Sequence, residues 1–314
     1  MTTTLADSRM AARAVPDRTV SSQRRREALT ALVMLAPSLV FLAAFTYWPI
    51  ARSLAYGFFD VQLGSSEIFF IGWDNYLRLW HDELFWKSLR NTVLYMVITV
   101  PSSIGLALLL AVALDRKLRG TALYRSTFFY PVMVPSVAAG MVWVFLYAPG
   151  YGPINGLMNW LGLPKLEWLY DSTWALPAII FMSIWKYAGY FMLILLAALQ
   201  LVPRDLYEAA RLDGVSGLRQ LVHITVPLIS PTLYFVVVIG VLHSYQIFDY
   251  VFVMTQGGPA DATNVLTFYI YQNAFQFQDI GTASAIATIL LLVVGVLIGI
   301  VALTLGRRVH YLGR

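Results

Sequence analysis

Long apolar runs separated by short polar stretches dominate this chain. They cover residues 28–51, 91–114, 126–148, 173–202, 226–254 and 280–306, and the only Lys, Arg, Asp or Glu among them are Lys186 and Asp249. Each reaches the roughly 20 residues that cross a bilayer as a helix. The pattern predicts an all-α membrane protein with six transmembrane helices. The third ends near Tyr147, because Pro149-Gly150-Tyr151-Gly152-Pro153 cannot continue a helix. Residues 1–27, rich in Ala, Thr, Ser and Arg, read as a disordered cytoplasmic tail. Ile154 to Leu161 has the apolar spacing of a short helix lying flat at the outer face. The polar stretch 203–223 reads as helix, turn, helix. Pro203 stops the fourth span, Asp205 is placed to cap a helix through Leu212, and Asp213-Gly214 ends it. Ser216 can cap a second short helix before Pro227 and Pro231 open the fifth span.

Composition agrees with the pattern. Hydrophobic residues make up 59% and charged residues 12% of 314 positions, against about 25% charged in soluble domains. Positive charge is retained in the cytoplasm, and it is lopsided here. Sixteen Lys and Arg fall in the N-terminal tail, the loop 116–125, the loop 204–219 and the tail 307–314, whereas Arg52, Arg78, Lys87, Arg90 and Lys165 make five on the other side. Both termini are expected in the cytoplasm. The net charge of +5 needs no nucleic acid to explain it. Arg24 to Arg26 precede an apolar run of 24 residues, longer than the roughly 7 to 15 of a signal core, so the first helix is expected to be retained. Cysteine is absent.

Candidate chemistry is sparse. His81, His223 and His310 are isolated, so no metal site is expected, and no paired catalytic groups suggest an enzyme. A Walker A loop needs Gly before its Lys, but Lys87, Lys117, Lys165 and Lys186 follow Trp, Arg, Pro and Trp. Within the spans, Lys186 is costly and must face a cavity or a partner. His243, Gln246 and Asp249 or Tyr250 recur at helical spacing on one face of the fifth helix, and Tyr187, Tyr190 and Tyr245 offer rings. Hydrogen-bonding groups beside aromatic rings suit a sugar. The same residues could instead glue helices together, Lys186 pairing with Asp249 or a carbonyl of a partner chain.

The loop between the fourth and fifth spans carries a more specific signal. Glu208-Ala209-Ala210, then Asp213-Gly214 and Ile224-x-x-Pro227, resemble the signature loop of permease subunits of ATP-binding-cassette importers, with Val226 where Leu is usual. Trp185-Lys186-x-x-Gly189-Tyr190, Leu196-Ala197-Ala198-Leu199-Gln200-x-x-Pro203, Phe248-Asp249 and Thr255-Gln256-Gly257-Gly258-Pro259 look like the sugar-importer branch. The resemblance implies a MetI-like permease of the bacterial cytoplasmic membrane that translocates a mono- or oligosaccharide. A glycerol 3-phosphate importer is the alternative, with Lys186 attracting the anion, and an ion-coupled secondary transporter a more distant one. It also implies partners: a second homologous permease in a heterodimer, an ATPase dimer that binds ATP and Mg outside this chain, and an extracytoplasmic substrate-binding protein. The signature loop would couple this chain to the ATPase, and Lys186, Tyr190, His243, Gln246, Asp249 and Tyr250 are the candidate pathway residues.

Overall fold

A computed structural model describes residues 18–65, 67–115 and 120–306, with side chains from residue 26 onward. Residues 1–17, Arg116, Lys117, Arg119 and the tail 307–314 lie outside the described residues, so the expectations placed on them are not addressed. The chain divides into two compact units, Met1–Arg52 and Ser53–Arg314.

The first unit is α1 (Arg18–Leu42), a wide five-residue turn (Ala43–Tyr47) and the start of α2 (Trp48–Tyr56). Helix begins at Arg18, inside the stretch expected to be a disordered tail. The wide turn sits just ahead of Pro49, whose ring and missing N–H disfavour an ordinary turn.

The second unit opens with an element absent from the sequence reading. Strands β1 (Phe59–Val61) and β2 (Ile68–Phe70) pair antiparallel, Phe59 facing Phe70, and α3 (Asp74–Trp80) follows. The buried Asn75 amide holds them together, donating to the carbonyls of Gly57 and Phe59 at 3.0 Å each. Helix α4 (Glu83–Leu114) starts eight residues before the expected Asn91, because the Asp82 carboxylate caps it by accepting from Leu84 N–H at 2.9 Å.

The expected third span is two helices, α5 (Thr121–Met133) and α6 (Ser136–Leu146), meeting at 101°. Pro135 has no N–H to give the Pro131 carbonyl, and Val134 before it is extended. Helix α7 (Pro153–Trp160) matches the expected short helix, and α8 (Ala175–Leu199) is an unbroken span. Next come α9 (Arg204–Leu212), α10 (Gly217–Gln220), a wide turn (Leu221–Thr225) and α11 (Val226–Leu228).

The fifth span is broken as well. The chain bends by 79° between Leu228 and Ser230, where Pro231 cannot donate to Pro227. Helix α12 (Ser230–Ser244) then stops, and α13 (Phe248–Met254) resumes after a turn. Helix α14 (Leu266–Tyr271), a wide turn (Gln272–Gln276) and α15 (Ile280–Thr304) complete the chain. Among the described residues, four continuous helices are long and apolar enough to cross a membrane, and the two bent pairs bring the number to as many as six.

Helices α4 and α8 form the central pair, and buried small residues such as Ala107, Ala111 and Ala178 let their neighbours approach closely. Gly189 on α8 is tighter still. A Cβ there would fall inside the Phe128 carbonyl of α5, so the two backbones touch. One cluster, around Tyr95, Met182 and Tyr250, fills the end of this core nearer α7. A second, around Ile104, Phe191, Leu195 and Val236, fills the end nearer α9.

Candidate functional site

The signature residues lie in a hairpin at the end of the bundle where α4 finishes and α9 begins. Glu208 and Ala209 are exposed on α9, and Ala210 is buried beneath them. The expected capping differs in detail. Pro203 occupies the position before α9, Asp205 sits inside the first turn without capping, and the Ser216 side chain accepts no cap bond. The C-terminal end follows the sequence reading. Gly214 has φ +71°, its N–H donates to Arg211 O at 3.1 Å, and Val215 N–H donates to Ala210 O at 2.9 Å. Those paired bonds close a left-handed helix cap that glycine adopts without strain. Ile224 and Pro227 follow, in the wide turn and in α11. Between α9 and the ends of α4 and α8 lies a groove of about 280 Å³, lined by Asp115, Gln200, Arg204, Glu208, Arg211 and Gln220 among others. Its walls carry both signs of charge and hydrogen-bonding amides, which suits a polar projection from a partner.

The candidate pathway residues are not carried by one continuous helix. His243 lies in the last turn of α12, the exposed Gln246 lies in the following turn, and Asp249 and Tyr250 belong to α13. Four aromatic side chains do converge. The His243 ring centre is 5.4 Å from that of Tyr187 and 6.0 Å from that of Tyr190, and the Tyr187 hydroxyl lies 3.1 Å from that of Tyr250. Tyr187 and His243 form the middle of this group. Asp249 is half-buried next to Tyr250.

The hydrogen-bond acceptors of Lys186 among the described residues are backbone carbonyls. Its ammonium donates to the carbonyls of Val134 and Pro131, the second at 3.5 Å, at the break between α5 and α6. It adds to the bond that Val134 N–H gives the Pro131 carbonyl at 3.3 Å, and a cation suits the negative end of that helix. The partner carbonyls belong to this chain. Together with Gly189, Lys186 gives the Trp185–Tyr190 motif a physical basis: one residue lets α8 touch α5, and the other seals the break.

At the opposite end, the Thr255–Pro259 motif forms a braced loop. Gly257 has φ +84° and Gly258 precedes Pro259 through a cis bond, while Gln256, Ala260 and Asp261 hold φ values of 51°, 45° and 57°. Non-glycine residues seldom occupy that region. The buried Asn91 amide holds them there, donating to Asn264 O at 2.9 Å and Ala262 O at 3.1 Å, with Asp261 O at 3.4 Å. Thr263 donates to Gly258 O at 2.7 Å, and Lys87 donates to Ala260 O. Nearby, the Tyr269 hydroxyl donates to the Asp82 carboxylate. Burial first, and then the neighbouring acid, raise the Tyr269 pKa, so it remains a donor. The sequence reading singled out neither Asn91 nor Thr263, since an Asn at a helix start and a Thr in a loop carry no pattern of their own. Among the described residues, no group of three or more His, Asp or Glu could hold a metal ion.

Comparison with known proteins places this architecture. A family profile described as binding-protein-dependent transport system inner membrane component matches residues 103–311. The lactose transport system permease protein LacF of Rhizobium radiobacter is 33% identical over 283 residues, covering 88% of this chain and 94% of that protein. The sn-glycerol-3-phosphate transport system permease protein UgpA of Agrobacterium fabrum is 32% identical over 280 residues, covering 89% and 95%. A solved chain of a bacterial ABC transporter involved in the import of the acidic polysaccharide alginate has the same fold, with a TM-score of 0.78 at 24% identity over 93% of this chain and 99% of that one.

Proposed function

The chain belongs to the family of inner membrane components of binding-protein-dependent transport systems, and we propose that it is the permease subunit of an ATP-driven importer for a mono- or oligosaccharide. The observation that carries the substrate class is the convergence of Tyr187, Tyr190, His243 and Tyr250 within the bundle. Rings cover the apolar face of a sugar, while imidazole and phenol groups meet its hydroxyls. Similarity to a lactose permease over nearly its whole length points the same way. Gln246 and Asp249, in and just after the turn beyond His243, extend this polar surface.

Energy enters from a separate ATPase dimer that binds ATP and Mg, docking on the groove beside Glu208, Ala209 and Ala210. A second homologous permease completes a heterodimer, and an extracytoplasmic binding protein delivers the sugar. Glycerol 3-phosphate is the second reading, favoured by the similarity to UgpA. It lacks its expected anchor, because Lys186 is committed to two carbonyls.

Uptake of labelled lactose, other sugars and glycerol 3-phosphate, compared between cells with and without this chain, tests the reading. The chain restores uptake of a carbohydrate. Glu208→Lys or Gly214→Val abolishes that uptake with membrane insertion intact, and His243→Ala lowers its rate. Normal transport by the Glu208 and Gly214 variants removes the coupling assignment, and restoration of glycerol 3-phosphate uptake alone removes the sugar.

A further inference from the structure

Helix α9 has little apolar hold on the rest of the fold, since Ala210 is the only one of its nine residues that is buried. Tyr207 supplies a second hold. Its half-buried ring packs against the cluster that includes Leu199, Val202 and Ile229, and its hydroxyl lies 3.0 Å from Thr225 Oγ1. Thr225 is itself buried and donates to the Gln220 carbonyl at 3.3 Å, which leaves its oxygen to accept from Tyr207. The Gln220 amide donates in turn to Val215 O at 2.8 Å, and Val215 N–H returns to Ala210 O at 2.9 Å. These hydrogen bonds together join α9 to the wide turn Leu221–Thr225, and the Thr225 hydroxyl, accepting from Tyr207 while donating to Gln220 O, strengthens both of its bonds. The covalent route between the same elements is softer. It runs through Gly214 and Gly217, whose backbones carry no Cβ to restrict their torsions. Thr225 directly precedes α11, from which the chain turns by 79° into α12, the helix that carries His243 in its last turn.

We propose that the Tyr207–Thr225 hydroxyl pair is the tie that passes displacement of α9 into the broken fifth span, Tyr207 and Thr225 acting as positioning residues. This rests on the ATPase-driven reading above. Without the tie, movement imposed on α9 is absorbed at the glycines of the turn, and α12 does not follow.

The test is amide hydrogen exchange on the transporter purified through this full chain, in nanodiscs, with and without ATP plus vanadate. In the wild type, ATP plus vanadate changes exchange both in Arg204–Leu212 and in Ser230–Ser244. Tyr207→Phe keeps the packed ring and loses only the hydroxyl; its change at Arg204–Leu212 persists, while that at Ser230–Ser244 falls about fivefold, the weight of one net hydrogen bond. Thr225→Val behaves alike, Thr225→Ser retains the response, and the double variant Tyr207→Phe with Thr225→Val is no worse than either single one. A Tyr207→Phe response equal to wild type in both helices, in a complex that hydrolyses ATP, overturns the tie and leaves the ATPase reading standing. A wild type in which ATP plus vanadate alters neither helix overturns both.

Discussion

Single residues set the geometry of the broken third span. The cost of a charge at mid-membrane made it readable in the sequence that Lys186 needs a partner. Which partner was not readable, because the acceptors arise only where Pro131 and Pro135, some fifty positions away in the chain, break a helix against α8. Gly189 is the clearer case. Its Cβ position is filled by the Phe128 carbonyl, backbone that cannot rotate aside, so Gly189→Ala must push α5 and α8 apart. Overpacking of this kind costs about 1–3 kcal/mol. The variant is expected to unfold at a clearly lower temperature in detergent, and an unchanged midpoint would show that the two helices do not touch there.

At the scale of elements, hydropathy located the apolar segments well and their shape poorly. Mean hydropathy carries no direction, so a span and a bent pair look alike. The signal was present in another form. Pro131 with Pro135 and Pro227 with Pro231 are each spaced by one helical bond, and each second proline removes the α-helical bond to the first one's carbonyl. The same blindness placed His243, Gln246 and Asp249 on one unbroken helix, although a turn separates Ser244 from Phe248. Strands β1 and β2 were unreadable because three residues each are too few to display an alternation. Asn91 commands the loop opposite the hairpin through three carbonyls. Asn91→Ala should therefore release the Gln256, Ala260 and Asp261 backbones and raise amide exchange across 255–264 about tenfold, on the scale of one to two hydrogen bonds. Protection equal to wild type would assign the loop's conformation to its own Thr255 and Thr263 contacts instead.

For the molecule as a whole, family and fold were legible from the hairpin signature, because its spacing of Glu, Gly and Pro records a cap, a left-handed glycine and a helix start that the structure builds at Gly214 and Pro227. Pathway chemistry was less legible, since it depends on which side chains converge, as Tyr187 and His243 do from different helices. On the proposed reading the chain is a passive half of a machine driven from outside, its two ends joined by bent spans. The most direct measurement is affinity purification of the full chain from its own membranes, with identification of the chains that accompany it and an assay of ATP hydrolysis and uptake in the reconstituted assembly. A second permease and an ATPase should co-purify, and uptake of a sugar supplied with its binding protein should stop when ATP is withheld. A chain recovered alone that transports without ATP would contradict the account.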